Sequence, residues 1–234
     1  MIPPGQKPLA ERYAAIKIRI KEHAQAGVQP VLIAVSKTQP VEAIEALYAL
    51  GHRDFGENYV QELVRKSEAL REKGCADIRW HFIGHLQTNK VKQLLPHLYA
   101  IHTIHSDRLA AELAKRWSDL TPSGKLPVFI EVNIDREEGK SGCPPEDARG
   151  IALRLSLDPV LSANLSLQGL MCIPDPDQPG GTRASFQRLK DLGSTIPSAG
   201  QLSMGMSDDF EAALEQGATH IRIGTALFGE RNRN

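Results

Sequence analysis

A lysine follows a continuous apolar segment of this chain. Residues 31–35 are Val, Leu, Ile, Ala and Val, and Lys37 comes two positions later. Such a run is typical of a strand buried on both faces, and side-chain alternation places Lys37 on the same face as Val35. At the mouth of a core a lysine is partly desolvated, and its neutral amine can attack a carbonyl carbon to form a Schiff base. Alternatively, Lys37 caps the strand and its alkyl stem reaches water.

Two turns near the end of the sequence combine glycine with hydroxyl side chains. They are Ser-Met-Gly-Met-Ser at residues 203–207 and Gly-Thr-Ala at residues 224–226. Glycine lets backbone N–H groups approach an oxyanion, and a helix start favours negative charge. The turns therefore predict a phosphate site, although ordinary helix-starting turns have the same composition. Arg222 lies on the inward face of the preceding strand, where it forms either a buried ion pair or a hydrogen bond to a ligand heteroatom.

The elements that must position these residues alternate along the chain, as eight strand-like and eight helical segments. Without a linker or composition break, this pattern predicts a single domain over residues 1–234. We expect an α/β fold, a (β/α)8 barrel of the TIM type with an extra N-terminal helix, in which strand one lies beside strand eight. An open doubly wound sheet is the rival fold. The predicted strands cover residues 31–35, 53–56, 78–84, 99–105, 128–133, 165–172, 201–203 and 220–224. The predicted helices cover residues 9–26, 40–50, 57–73, 88–95, 106–117, 144–155, 186–192 and 208–216. A turn is predicted at residues 121–124.

Composition excludes several classes of function. The 28 Lys and Arg residues balance the 28 Asp and Glu residues, so no net charge attracts nucleic acid or anionic lipid. No apolar run approaches the length of a membrane span. The first seven residues lack the basic flank and apolar stretch of a signal peptide, and we expect a cytoplasmic protein. Cys75, Cys143 and Cys172 are too widely spaced for a metal site and are expected to be buried apolar residues.

Two pairs of histidines raise the question of a metal site. His81 and His85 fall on or near one predicted strand, and His102 and His105 fall on the next. Neither pair has a carboxylate at ligand spacing, so we expect no metal.

Six motifs together resemble the pyridoxal phosphate homeostasis protein family. They occur in order over nearly the whole chain: AVSK (34–37), FGENYVQE (55–62), WHFIGHLQTNK (80–90), GLM (169–171), LSMGMSDDF (202–210) and RIGTALFG (222–229). The fold of that family is similar to the N-terminal barrel of alanine racemase. The motifs are long enough to make the resemblance specific.

The resemblance implies a cofactor and assigns residues to it. Lys37 would carry pyridoxal 5'-phosphate as an internal aldimine, and Arg222 would face the pyridine nitrogen. Asn58 would neighbour the aldimine, or its side chain caps a helix, and Met171 would lie near the ring or belong to the core. Lys140, in a charged loop after strand five, would meet an anionic group of a ligand. The phosphate would be surrounded by Ser203, Ser207, Gly224 and Thr225.

Three functions are compatible with a reactive lysine beside a phosphate site. The resemblance favours a protein that holds pyridoxal phosphate, passes it on to apo-enzymes and influences amino-acid and keto-acid pools. The alternative is a racemase or related enzyme, which needs a second acid/base group such as Tyr59 or His85 opposite Lys37. Alanine racemase takes that group from a second domain, which we do not expect here. A Schiff-base aldolase without cofactor would not explain the phosphate site. We therefore expect a monomeric cofactor-binding protein rather than an enzyme.

Overall fold

A computed structural model describes residues 8–120 and 124–229 of the chain. Eight parallel strands close into a barrel, in which each strand pairs with its neighbour in sequence and β8 pairs with β1. The closed barrel confirms the predicted TIM-type fold and excludes the open sheet. The strands are β1 (Val31–Val35), β2 (Asp54–Glu57), β3 (Arg79–Phe82), β4 (Ala100–Ile104), β5 (Leu126–Glu131), β6 (Leu165–Met171), β7 (Gln201–Ser203) and β8 (His220–Ile223).

Helices surround the barrel, and the expected N-terminal helix α1 (Leu9–His23) packs against the two helices at the other end of the chain. Single 3-10 turns flank the short helix in the β3–β4 connection. The remaining helices are α2 (Val41–Ala49), α3 (Val60–Glu72), α4 (Val91–Leu94), α5 (Asp107–Leu120), α6 (Pro145–Leu157), α7 (Pro159–Asn164), α8 (Gly181–Ser194), α9 (Phe210–Glu215) and α10 (Thr225–Phe228).

Some predicted boundaries are wrong for local reasons. Glu57 belongs to β2 rather than to a helix, because it is paired with Phe82 of β3. Ser207 does not cap α9, which begins only at Phe210. The sequence reading missed α7, where the Asp158 side chain accepts two backbone N–H groups at the helix start. Most of the turn predicted at residues 121–124 lies outside the described residues.

Apolar side chains fill the space between the barrel wall and the helices, while the middle of the barrel contains polar groups. Asp54, His81, His102 and Ser203 are all buried there and contact one another in sequence. The three cysteines are buried, as predicted. Among the described residues, no helix combines the length and the apolar character that crossing a membrane requires.

Candidate functional site

Lys37 lies in the turn that leaves β1 at the C-terminal rim of the barrel. Across this turn the N–H of Gln39 donates to the carbonyl of Ser36 at 2.9 Å. Thr38 has a positive φ of 65°, which a β-branched residue adopts only when its surroundings hold it there. One contact that holds it is a hydrogen bond from the Thr38 N–H to a carboxylate oxygen of Glu62 at 2.7 Å. Contacts from α3 therefore help to set the backbone on which Lys37 is presented.

A cavity of about 210 Å³ opens at this rim and contains Lys37. Its walls come from the carboxyl ends of β1, β2, β3 and β8 and from the loops after β6 and β7. This is the end of a TIM-type barrel where ligands and reactive groups are found. The residues lining the cavity are Val35, Lys37, Gln39, Asn58, Ile83, Ile173, Met206, Ser207, Asp208, Arg222, Gly224, Thr225 and Gly229.

Two neighbouring turns at the cavity contain backbone donors that no described part of the protein uses. The N–H of Ala226 donates to Ser207 Oγ at 3.2 Å, which joins the turn after β7 to the turn after β8. Within the described part of the chain, the N–H groups of Ser207, Asp208, Gly224 and Thr225 have no acceptor. Successive unpaired N–H groups in turns form anion-binding concavities. Together with two hydroxyl groups, they provide a site suited to a phosphate.

Arg222 is buried in the barrel and also lines the cavity. One terminal nitrogen of its guanidinium donates to Ser203 Oγ at 2.9 Å, and the other donates to the carbonyl of Cys172 at 2.9 Å. No carboxylate among the described residues lies within ion-pair distance of it, so the alternative of a buried ion pair is wrong for this part of the chain. Two neutral acceptors therefore orient the guanidinium, and its other N–H groups are available to a ligand.

Six of the eight predicted site residues line one cavity: Lys37, Asn58, Ser207, Arg222, Gly224 and Thr225. Ser203 and Met171 do not line it; both are fully buried, and they are paired in register on β7 and β6. The Ser203 hydroxyl is engaged by Arg222 and His102, which leaves it poorly placed to serve a phosphate. Lys140 also lies outside the lining and is paired with Glu137.

Comparison with known proteins identifies the family. The model of the alanine racemase N-terminal domain matches residues 12–232. A pyridoxal phosphate homeostasis protein of Pseudomonas aeruginosa is 44% identical over 232 residues, covering 96% of each chain. The chain belongs to the pyridoxal phosphate homeostasis protein family. The human protein of that name is 39% identical over 218 residues, covering 88% of this chain and 78% of its own length.

Solved structures agree with this family assignment. PipY of Synechococcus elongatus, solved with pyridoxal phosphate bound, superimposes with a TM-score of 0.80 at 33% identity, covering 95% of this chain and all of PipY. Alanine racemase of Corynebacterium glutamicum gives a TM-score of 0.64 at 17% identity and is covered over 62% of its length. At that identity the similarity to the racemase concerns the fold alone.

In this family member, the sequence reading missed several cavity residues. Gln39 lies just after the segment that ends at Lys37, Asp208 belongs to the motif at residues 202–210 but was given no role, and Ile173 follows β6 in a loop that was interpreted only as a connection. His81 and His102 were considered only as metal ligands. Their inward positions on adjacent strands were the signal that they contact each other, because inward residues of neighbouring strands meet inside a barrel. Among the described residues, no group of three or more His, Cys, Asp or Glu side chains could hold a metal ion.

Proposed function

We propose that this protein binds pyridoxal 5'-phosphate covalently at Lys37 and holds it as part of the cell's supply of that cofactor. One observation carries the proposal: the lysine lines the same cavity as two turns whose N–H donors have no acceptor among residues 8–120 and 124–229. The names of the relatives and the cofactor found in PipY support the same ligand. The finer assignments below, residue by residue, are part of the proposal.

The residues present fit the phosphate end of this cofactor. We assign the phosphate to the N–H groups of Ser207, Asp208, Gly224 and Thr225, because these donors have no acceptor within the described chain. The hydroxyl groups of Ser207 and Thr225 add two further donors at the same place. A phosphate bound there would satisfy groups that otherwise depend on water.

The remaining residues act on the ring. When bound, the cofactor supplies an aldehyde carbon for covalent attachment and a pyridine ring that can accept electrons. Arg222 has only N–H donors, so it would hydrogen-bond an unprotonated ring nitrogen and keep that nitrogen unprotonated. Asn58 lines the cavity, and its buried side-chain oxygen has no hydrogen-bond partner within the described chain, which suits a contact with the cofactor.

The lining of the cavity favours a holder over an enzyme. Its titratable side chains, among the described residues, are Lys37, Asp208 and Arg222. Tyr59 and His85, the residues considered as a second base, are not among the lining residues, and Tyr59 is 60% exposed. An acid/base group opposite the lysine is what racemisation requires. We therefore propose that the bound cofactor is catalytically idle.

Four broader assignments belong to the same proposal. We propose that residues 1–234 form one cytoplasmic domain that works as a monomer, since a closed eight-strand barrel has no open sheet edge through which a second copy could pair. We also propose that the protein passes its cofactor to apo-enzymes that depend on pyridoxal phosphate. Sedimentation velocity tests the monomeric state, which a stable dimer contradicts. Reactivation of an apo-enzyme by the loaded protein tests the transfer, which no reactivation contradicts.

Borohydride trapping tests the central proposal. Protein incubated with pyridoxal phosphate and reduced should gain one pyridoxyl phosphate group, located on Lys37 by peptide mass analysis, because reduction makes the attachment permanent. Lys37→Ala should stay folded and gain none. Pyridoxal without its phosphate should be trapped far less at equal concentration, because it makes no contact with the N–H and hydroxyl donors of the two turns. A label on another lysine, or none, overturns the proposal.

A further inference from the structure

A chain of hydrogen bonds crosses the inside of the barrel and ends at Arg222. Asp54 Oδ1 lies 3.1 Å from His81 Nε2, and His81 Nδ1 lies 3.0 Å from His102 Nε2. His102 Nδ1 lies 2.9 Å from Ser203 Oγ, which accepts from Arg222 at 2.9 Å. All five side chains are buried. These contacts join residues from five strands, β2, β3, β4, β7 and β8.

Asp54 lies at the end of these hydrogen bonds opposite Arg222, and its contacts there determine its charge. Arg79 donates from Nε to Asp54 Oδ1 at 2.7 Å and from a terminal nitrogen to Oδ2 at 2.5 Å. Burial raises the pKa of Asp54, but the hydrogen bonds from Arg79 and His81 outweigh it and hold the pKa well below its usual value. Asp54 is therefore a carboxylate, which can only accept hydrogen bonds.

The two histidines are neutral. Burial lowers the pKa of His81, and it does so against the hydrogen bond and the negative charge of Asp54, which both raise that pKa. Burial also brings the pKa of His102 well below its usual value, and the nearby His81, His220 and Arg222 act in the same direction. The ring of His102 is stacked on Phe129, with ring centres 4.2 Å apart. The neighbouring His220 contacts both rings, but its Nδ1 faces the hydroxyl of Thr219, so it is not a member of the chain.

These conditions allow only one arrangement of protons. Because the Asp54 carboxylate accepts, His81 must donate from Nε2 and accept at Nδ1. His102 must then donate from Nε2 and accept at Nδ1. The Ser203 hydroxyl therefore donates its proton to Nδ1 of His102. A lone pair of Ser203 is left facing Arg222, whose guanidinium always donates.

We propose that Asp54, His81, His102 and Ser203 form a positioning chain that holds Arg222 in one orientation toward the bound cofactor. The proposal rests on the function proposed above, since it concerns how tightly and in which state the ring is held. Every donor in the chain points from Arg222 to Asp54, so the four residues act as one unit. Ser203 acts as an acceptor for Arg222, and its hydroxyl proton is not available to the phosphate.

The first experiment needs no cofactor. Long-range proton–nitrogen NMR spectra of the 15N-histidine-labelled wild-type protein should show His81 and His102 as neutral Nε2–H tautomers from about pH 6 to about pH 8. A proton on Nδ1 of either ring, or a charged ring, overturns the proposed chain. Because the protein is examined without cofactor, this result does not depend on whether pyridoxal phosphate binds.

The second experiment breaks the link next to Arg222. Ser203→Ala should shift the visible absorption band of the bound cofactor and speed its dissociation about tenfold, because a hydrogen bond to a charged group is lost. Ser67→Ala is the matched control. Ser67 is also buried, and its hydroxyl lies 3.1 Å from His97 Nδ1, but on α3 outside the barrel. The Ser67→Ala protein should lose about as much thermal stability as the Ser203→Ala protein, but it should keep the wild-type spectrum and dissociation rate.

The outcomes separate this inference from the function on which it rests. If wild-type protein takes up no pyridoxal phosphate, the proposed function fails, and the NMR result alone judges the chain. If the wild type binds the cofactor and Ser203→Ala matches it, or matches Ser67→Ala, in spectrum and dissociation, the positioning role is overturned. Should Ser203→Ala fail to fold, Asp54→Asn breaks the other end of the chain. In that variant the tautomer of His81 should change, and the visible absorption band of the bound cofactor should shift as predicted for Ser203→Ala.

Discussion

Among single residues, Glu131 has a carboxyl group in an environment that disfavours its charge. It ends β5 inside the barrel and is 5% exposed, and its Oε2 has no hydrogen-bond partner within the described chain. Burial raises the pKa of Glu131 to about 7, against the opposing effect of Arg222. In the unfolded chain the pKa of a glutamate is about 4.3. The folded protein therefore retains this proton over a range in which the unfolded chain has lost it.

This difference predicts how stability depends on pH. The folded state binds more protons than the unfolded state between about pH 4.5 and pH 7, so this group lowers the free energy of unfolding as pH rises through that window. We expect Glu131→Gln to be more stable than wild type at about pH 8, by about 3 kcal/mol at most, and to lose this advantage near about pH 5. Urea denaturation at the two pH values measures it.

A surface carboxylate serves as the control for Glu131. Glu138 is exposed in the loop after β5, and Glu138→Gln should leave the difference in stability between the two pH values unchanged. If Glu131→Gln also leaves that difference unchanged, the carboxyl is ionised in the folded protein, contrary to our assignment.

At the scale of elements, α3 braces the turn that presents Lys37. The ammonium group of Lys66 is fully buried and lies 2.7 Å from a carboxylate oxygen of Glu57 and 2.7 Å from one of Glu62. It also donates to the carbonyl of Ser36 at 2.6 Å. A buried cation with several partners is costly to disrupt, because removing it leaves a carboxylate buried without its counter-ion.

Replacing this buried lysine tests the brace. We expect Lys66→Met to lower the free energy of unfolding by about 3 to 5 kcal/mol, because Glu57 keeps its burial and loses its counter-ion. The double variant Lys66→Met/Glu57→Gln should recover much of that loss, since the unpaired charge is gone. Both values come from urea denaturation of the protein without cofactor.

A surface lysine gives the comparison. Lys73 forms an ion pair with Glu45 on exposed side chains, and Lys73→Met should change stability little because surface pairs are weak. A Lys66→Met protein as stable as wild type, or a double variant no better than the single one, would show that α3 does not brace the turn through charge.

At the scale of the whole molecule, the barrel places Lys37, the proposed site of attachment, in a cavity whose described lining offers few acid/base groups. We therefore expect solvent deuterium exchange at Cα of alanine or serine, with loaded protein, to be no faster than with Lys37→Ala protein plus free cofactor. The reason is that Arg222, in its proposed role, would leave the ring a poor acceptor of electrons, and that the described cavity lining contains no histidine or tyrosine. An alanine racemase serves as the positive control. Exchange faster than about 1 per second would be ordinary enzyme turnover and would favour the racemase alternative.

The sequence by itself determined the architecture and singled out Lys37 as the proposed site of attachment. Alternating strand and helix periodicities predict a parallel barrel, and a barrel places the ends of its first and last strands side by side. Lys37 and the turns at residues 203–207 and 224–226 could therefore be grouped without coordinates. Their grouping depends on strand order and direction, which are set by local pattern and chain connectivity.

Only the tertiary structure decided how the inward polar residues pair. Ser203 was expected at the phosphate, and His81 and His102 were weighed as metal ligands, because sequence spacing says nothing about side-chain contacts across a barrel. Those contacts depend on the register between strands and on which atoms of each side chain come within hydrogen-bond distance. The register places Ser203 beneath Arg222, with its hydroxyl facing His102, and so gives it a different role from the one that its neighbour Ser207 is proposed to have.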